Sequence, residues 1–354
     1  MTIPVAPHRS IRIPRLMRVV RGPDAVMDAL ADLVEPSHRL LIVHSGDRSA
    51  TGYGNIIEAH ARAAGYEVDA CVIADNSEVS VAQAVDAIDR FGPDFVLAIG
   101  GGRVVDVAKL AAARRQAQVV TIPTQLASDA ICSPVAIILD LDGRQQSIGA
   151  QMPVAIVVDM DVVDSAPART WLSGLGDLVS NLSAVRDWRL ARDRRAEDFD
   201  DFASLTSEAA ALSVIEDDAD ITEDDYRQKL IRGLILSGIA MEMAGSSRPA
   251  SGSEHLISHA LDQILVRPRP HGLQVALGTI AAGVLRGEDG RRLVAFFRRV
   301  GLPVVPADLD ISVDDFMAAV RRGPTTRPGR TTCLDDVDEA DLERLRLAYQ
   351  RGEL

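Results

Sequence analysis

Five short runs of β-branched and apolar residues constrain the fold more than any other feature of this chain. They are "RLLIVHSG" (39–46), "EVDACVIA" (67–74), "FVLAIGGG" (95–102), "QVVTIPT" (118–124) and "VAIVVDM" (154–160). Between the first four lie Ala-rich stretches with helical spacing, at about 50–64, 80–92 and 104–115. Strands that are apolar along their whole length are buried on both faces, and their alternation with helices predicts a parallel sheet covered on both sides. Ligands of such sheets bind beyond the carboxyl ends of the strands.

After Pro167 the strand-like runs stop. Helical spacing predicts helices at about 171–192, 201–216, 223–244, 251–265, 272–285, 290–299, 311–322 and 338–350. The expected organisation is therefore a Rossmann-like α/β nucleotide-binding domain over 1–166 and an all-α domain over 167–354. The boundary falls at "DSAPART" (164–170), where Ser and Pro supply turn and cap chemistry.

Composition narrows the function. With 51 acidic and 38 basic residues the net charge is −13, which argues against nucleic acid because phosphate-backbone contacts need a basic face. A small anionic ligand needs only a local cluster. Three scattered cysteines, Cys71, Cys132 and Cys333, make neither a disulfide framework nor a CxxC metal motif. No run of about 18 apolar residues and no secretion signal is visible, so a cytoplasmic protein without stable membrane insertion is expected.

"AIGGGRVVDVAK" (98–109) follows a strand and opens a helix, the context a phosphate-binding turn requires. Gly100, Gly101 and Gly102 allow close backbone approach to a ligand, and Arg103 and Asp106 lie on the first turns of the helix. The spacing is neither GxGxxG nor GxxxxGK[ST]. Read alone, such a turn is more often a tight connection than a cofactor site, with Asp106 and Lys109 as surface charges.

"SGSEHLISHALDQILVRPRPHGLQVALG" (251–278) holds three of the seven histidines. His255 and His259 are four apart on an expected helix and share a face. His271 opens the next helix, and Asp177 lies near another helix start in "SGLGDLVS". A catalytic Zn²⁺ takes three N or O ligands and keeps an open position, so this set has the right donor types. Each histidine alone is equally a core or surface side chain.

Taken together, the GGG-x3-D-x2-K turn, "TIPTQLASDAICSP" (121–134), "GLGDLVSNLSAVRDWRLA" (174–191), "SGSEHLISHALD" (251–262), "HGLQVALGTI" (271–280) and "RPGRTTCLDD" (327–336) resemble the iron-containing alcohol dehydrogenase and dehydroquinate synthase-like superfamily, and within it the glycerol-1-phosphate dehydrogenases. The resemblance implies a metal, Zn²⁺ or Fe²⁺, in a cleft between the two domains, NAD or NADP as cofactor, and a homo-oligomer. It implies reduction of dihydroxyacetone phosphate to sn-glycerol 1-phosphate, a step of phospholipid metabolism. It assigns Asp177, His255 and His271 to the metal and His259 to the substrate as contact or proton relay. It sets Asp129, like Asp177, beside the substrate, and Thr124 and Ser133 at the cofactor, with Gly100, Gly101, Gly102, Arg103 and Asp106.

Three positions depart from the family pattern. Ala127 and Ala130 stand where a serine and a glycine are usual, and Leu273 replaces a carboxylate after the last expected ligand. They leave room for a different small polyol, sugar phosphate or phosphonate as substrate; a sugar-phosphate cyclase is a more distant alternative, against which Asp177 and "DWRLA" count. For a phosphorylated substrate Arg248, Arg267 and Arg269 are candidate cations, and Asp47 a candidate ribose contact.

Overall fold

The computed structural model describes residues 11–45 and 52–351. Its elements run β1 (Leu16–Val20), α1 (Pro23–Ala31), β2 (Arg39–His44), α2 (Tyr53–Ala63), β3 (Glu67–Val72), α3 (Glu78–Phe91), β4 (Phe95–Gly100), α4 (Gly102–Arg115), β5 (Gln118–Pro123), β6 (Val135–Leu139), β7 (Gln145–Gly149) and β8 (Ala155–Asp159). Helices follow: α5 (Met160–Ser165), α6 (Ala168–Val179), α7 (Asn181–Asp193), α8 (Asp201–Ile215), α9 (Asp224–Ala244), α10 (Ser253–Ile264), α11 (His271–Leu285), α12 (Arg291–Val300), α13 (Val313–Thr326) and α14 (Glu339–Arg351).

Six strands form one parallel sheet in the order β1-β8-β5-β4-β2-β3. Side chains alternate across it as the two-residue strand period requires. Leu40 and Ile42 face a cluster with α1 and α2, whereas Leu41 and Val43 face one with α3 and α4. Each of these four is fully buried, a contribution of about 1.5–3 kcal/mol per side chain. After β3 the chain returns to the other side of β2 to form β4, so the order in which strands are added reverses there while all stay parallel. At the carboxyl ends of those two strands the helices diverge and leave a crevice.

The five expected strands are all present, and so are the three expected helices between them. Edge strand β1 and the antiparallel β6–β7 hairpin are additions. The expected single helix over 171–192 is two, α6 and α7, meeting at Ser180. There the Ser180 hydroxyl donates to the Asp177 carbonyl at 2.7 Å, a local bond that competes with the helix ladder. Among the described residues no helix is long and apolar enough to cross a membrane.

Candidate active site

The site is assembled where α6, α10 and α11 approach one another, and glycines set how closely. A Cβ on Gly272 would lie 1.8 Å from the Ser173 carbonyl oxygen, and one on Gly176 2.3 Å from that of Gly272. On Gly278 it would lie 2.8 Å from the Glu254 carbonyl. Only hydrogen fits at these crossings, so α11 lies against α6 and α10 backbone to backbone. Asp177 follows Gly176 and His271 precedes Gly272, so the first crossing brings these two side chains together.

One oxygen or nitrogen of each of Asp177, His255 and His271 falls within 4.8 Å of the others. Asp177 Oδ1 is 3.7 Å from Nε2 of His255 and 3.7 Å from Nε2 of His271. Donors about 2.1 Å from a shared Zn²⁺ stand no more than about 4.2 Å apart, so both spacings suit one ion. The remaining atom of each group is already engaged. Asp177 Oδ2 accepts from the Asp129 amide at 2.9 Å, His255 Nδ1 meets Glu254 Oε1 at 3.1 Å, and His271 Nδ1 meets Ser258 Oγ at 3.3 Å. Such outer partners fix ring orientation and tautomer. The donor set fits a divalent metal.

Charge is strongly coupled here. Burial alone would lower the proton affinity of His255, but Asp177 and Glu254 outweigh it and push the imidazole up to about 9. Burial, then His255 and His271, then Arg327 and Arg330, hold His259 down to about 3, so its ring is neutral. The His259 ring lies 6.3 Å, centroid to centroid, from each of the other two, stacked with His271 and edge-on to His255, and makes no hydrogen bond among the described residues. Asp129 is pushed up to about 7 by burial and by Asp177, while the Ser237 hydroxyl donates to its Oδ2 at 2.9 Å.

A second cleft, of about 360 Å³, opens at the carboxyl edge of the sheet and is lined by Ser45, Asp75, Gly101, Arg103, Thr124 and Gln125 among others. Gly101, Arg103 and Thr124 are thus gathered where the sequence led us to expect a nucleotide. The glycine turn does its work by closeness rather than by unusual dihedrals. Gly101 has φ −77°, but a Cβ there would meet Gln125 Nε2 at 2.2 Å, and one on Gly100 would meet Val104 at 2.6 Å.

Asp106 and Lys109 correct the reading of surface charges: both are buried, and with Ser133 they form a clamp that holds the 130–137 segment. Lys109 Nζ donates to the carbonyls of Ala130, Ser133 and Val135 at 2.7–2.9 Å and to Ser133 Oγ at 3.1 Å. Asp106 is 3.3 Å from Lys109 and accepts from the Ile137 amide at 3.0 Å. The clamp fixes the loop carrying Asp129.

The three candidate arginines are a second correction. Arg248 is buried and spent on a two-pronged pair with Glu197 and on the Thr331 carbonyl. Arg269 splints the carbonyls of Leu309, Asp310 and Arg267, and Arg267 lies on the exposed turn before it. The cations beside His259 are Arg327 and Arg330, within the "RPGR" stretch but given no role from sequence. Asp75 and Gln125, which line the cleft at the sheet edge, were likewise given no role from sequence, where only a position just after a strand end marks them. Asp47 lies outside the described residues.

The departures from the family pattern are absorbed by packing. Leu273 is a core side chain of the helical cluster. The Ala127 carbonyl accepts from Ser173 Oγ at 2.9 Å, and Ala130 has no positive φ, so it needs no glycine.

A parallel sheet with a cleft at its carboxyl edge, followed by helices that bring two histidines and an aspartate together, defines an oxidoreductase of the iron-containing alcohol dehydrogenase class. The family model described as iron-containing alcohol dehydrogenase matches residues 22–167. The fold matches the crystal structure of a probable glycerol dehydrogenase from Sinorhizobium meliloti 1021, with a TM-score of 0.75 at 22% identity over 98% of this chain and 99% of that one. Among curated proteins, the glycerol-1-phosphate dehydrogenase (NAD(P)+) of Thermococcus sibiricus is 38% identical over 308 residues, covering 86% of this chain and 87% of its own. That of Hyperthermus butylicus is 35% identical over 339 residues, covering 93% and 94%. The chain belongs to the glycerol-1-phosphate dehydrogenase family.

Proposed function

We propose that this protein reduces dihydroxyacetone phosphate to sn-glycerol 1-phosphate with NADH or NADPH, at a divalent metal held by Asp177, His255 and His271. The observation that carries this is the convergence of those three donors, each locked by its own outer partner, in a chain whose relatives are named for this activity. In this reading 1–166 is the nucleotide half and 167–354 the metal and substrate half of a cytoplasmic homo-oligomer. Zinc suits two imidazoles and a carboxylate, and iron is the alternative.

When bound, the metal and the reduced nicotinamide supply Lewis acidity and hydride. The chain supplies the rest. Backbone amides at the start of α4, from Gly101 to Arg103, would hold the cofactor's pyrophosphate, as helix N-termini hold anions. Thr124 borders the same cleft. Asp129, held on Oδ2 by Ser237, keeps Oδ1 to accept from a substrate hydroxyl. His259, with both ring nitrogens uncommitted, contacts the substrate and relays the proton that the reduced carbonyl oxygen must gain.

The test is purified protein with Zn²⁺, dihydroxyacetone phosphate and NADH or NADPH, following loss of reduced nicotinamide and then the handedness of the product. Stoichiometric oxidation with formation of the sn-1 isomer is expected. Inertness toward this ketone but reduction of another polyol ketone or sugar phosphate would replace the substrate. Turnover without net cofactor consumption would indicate a cyclase.

A further inference from the structure

The "RPGR" segment after α13 folds as a tight turn. The Arg330 amide donates to the Arg327 carbonyl at 3.2 Å, with Pro328 and Gly329 at the corners and Gly329 at φ +85°. A Pro-Gly corner of this kind sets the first and fourth residues side by side. Arg327 Nη1 and Arg330 Nη2 both donate to Ser247 Oγ at 3.0 Å, and Arg330 also reaches the Ser251 carbonyl just before α10. The turn is tied to α10 again where Thr326 Oγ1 meets the Leu256 carbonyl at 3.5 Å.

Neither guanidinium has a carboxylate within 4.0 Å among the described residues, whereas buried Arg248 alongside is fully paired with Glu197. Arg330 is itself buried, 9% exposed. A buried cation without a counter-charge is costly, and a second one beside it more so. The strain registers in both: burial first, then the neighbouring arginines, lower Arg327 and bring Arg330 down to about 9. Most of their N–H donors are unused. Through Ser251 and Leu256 the turn is fastened to the start of α10, the helix that carries His255 and His259, so the unpaired positive charge lies at the histidine end of that helix.

We infer that Arg327 and Arg330, bridged by Ser247, form the subsite for a phosphoryl dianion of the substrate reduced at the Asp177–His255–His271 centre. Two guanidiniums match the oxygen fork of a tetrahedral dianion, and Ser247 holds them at the spacing one group can span. The inference deepens the proposed function and rests on its placing of the reaction. It makes the phosphate, more than the ketone end, the source of affinity, so an unphosphorylated ketone of the same skeleton binds poorly.

The experiment compares wild type with Arg327→Met and Arg330→Lys, each checked for an unchanged urea midpoint and metal content. It measures KM and kcat for dihydroxyacetone phosphate, kcat/KM for unphosphorylated dihydroxyacetone, and competitive inhibition by inorganic phosphate. Arg327→Met, on the more accessible of the two, is expected to raise KM for the phosphorylated ketone by about tenfold or more, a loss of about 1.4 kcal/mol of binding, with kcat far less affected. The ratio of kcat/KM for the two ketones should fall by a similar factor, and inorganic phosphate should inhibit correspondingly less. Wild-type reduction of the phosphorylated ketone with KM and phosphate inhibition unmoved in both variants would overturn the subsite and leave the function standing. If wild type instead reduces some other ketone, and inorganic phosphate competes with it in wild type but not in Arg327→Met, the subsite stands and the proposed substrate falls.

Discussion

Gly176 and Gly272 touch across the α6–α11 crossing so closely that a methyl group on Gly176 would lie 2.3 Å from the Gly272 carbonyl oxygen. This contact sets the distance between Asp177 and His271, each a neighbour in sequence of one of the glycines. Replacing Gly272 by Ala must separate the helices, since the first obstacle is backbone, the Ser173 carbonyl. Overpacking of this kind costs about 1–3 kcal/mol. We expect Gly272→Ala to lower the urea midpoint and to weaken metal retention together. A variant with wild-type stability and full metal content would refute the glycine account.

The Asp106–Lys109 clamp makes a separable prediction. Lys109→Met leaves the Asp106 carboxylate buried without its partner, a loss of about 3–5 kcal/mol, and frees the loop that carries Asp129. Adding Asp106→Asn should recover part of that stability, because the stranded charge is gone. Urea denaturation of the two single variants and the double closes the cycle, and strict additivity would argue against the pair.

Much of this architecture was legible in sequence because its signals are local. Strands buried on both faces announce themselves as unbroken apolar runs, as β4 does with "FVLAIG". Edge strand β1 and polar β7 were not legible. Met17, Arg18 and Val19 of β1 are exposed, and the "QQSIG" of β7 has no buried face to impose a pattern. The aspartate and the two histidines were grouped by the family resemblance, and their donor atoms converge in the fold. What sequence could not show was which arginine is free. Arg248 is neutralised by Glu197, 51 residues away, and only the fold reveals that Arg327 and Arg330 are not.

Asp262 supplies a test by pH. Burial pushes its carboxyl up to about 6, against a hydrogen bond from Gln274 Nε2 at 2.9 Å. An unfolded aspartate titrates near about 3.9. The folded state therefore binds the extra proton, and the stability this confers is complete below about pH 4 and lost as pH rises through about 6. Asp262→Asn should remove that slope, gaining on wild type between about pH 4 and 7. Urea midpoints across this window check it, and a pH-independent difference would contradict it.

Glu254 is fully buried and holds His255 Nδ1 at 3.1 Å. Glu254→Gln keeps the shape but removes the negative charge that raises the basicity of the imidazole. Loss of such a partner typically costs about 10–100-fold in metal affinity or activity. Titration of metal-stripped protein with Zn²⁺ measures it directly, and unchanged affinity would remove Glu254 from the account.

The central claim is that Asp177, His255 and His271 hold a single divalent ion. Elemental analysis of purified wild type, His255→Ala and His271→Ala, each shown by circular dichroism to be folded, tests it most directly. The account predicts about one zinc or iron per wild-type chain and essentially none in either variant. Wild-type metal stoichiometry in both variants would contradict it.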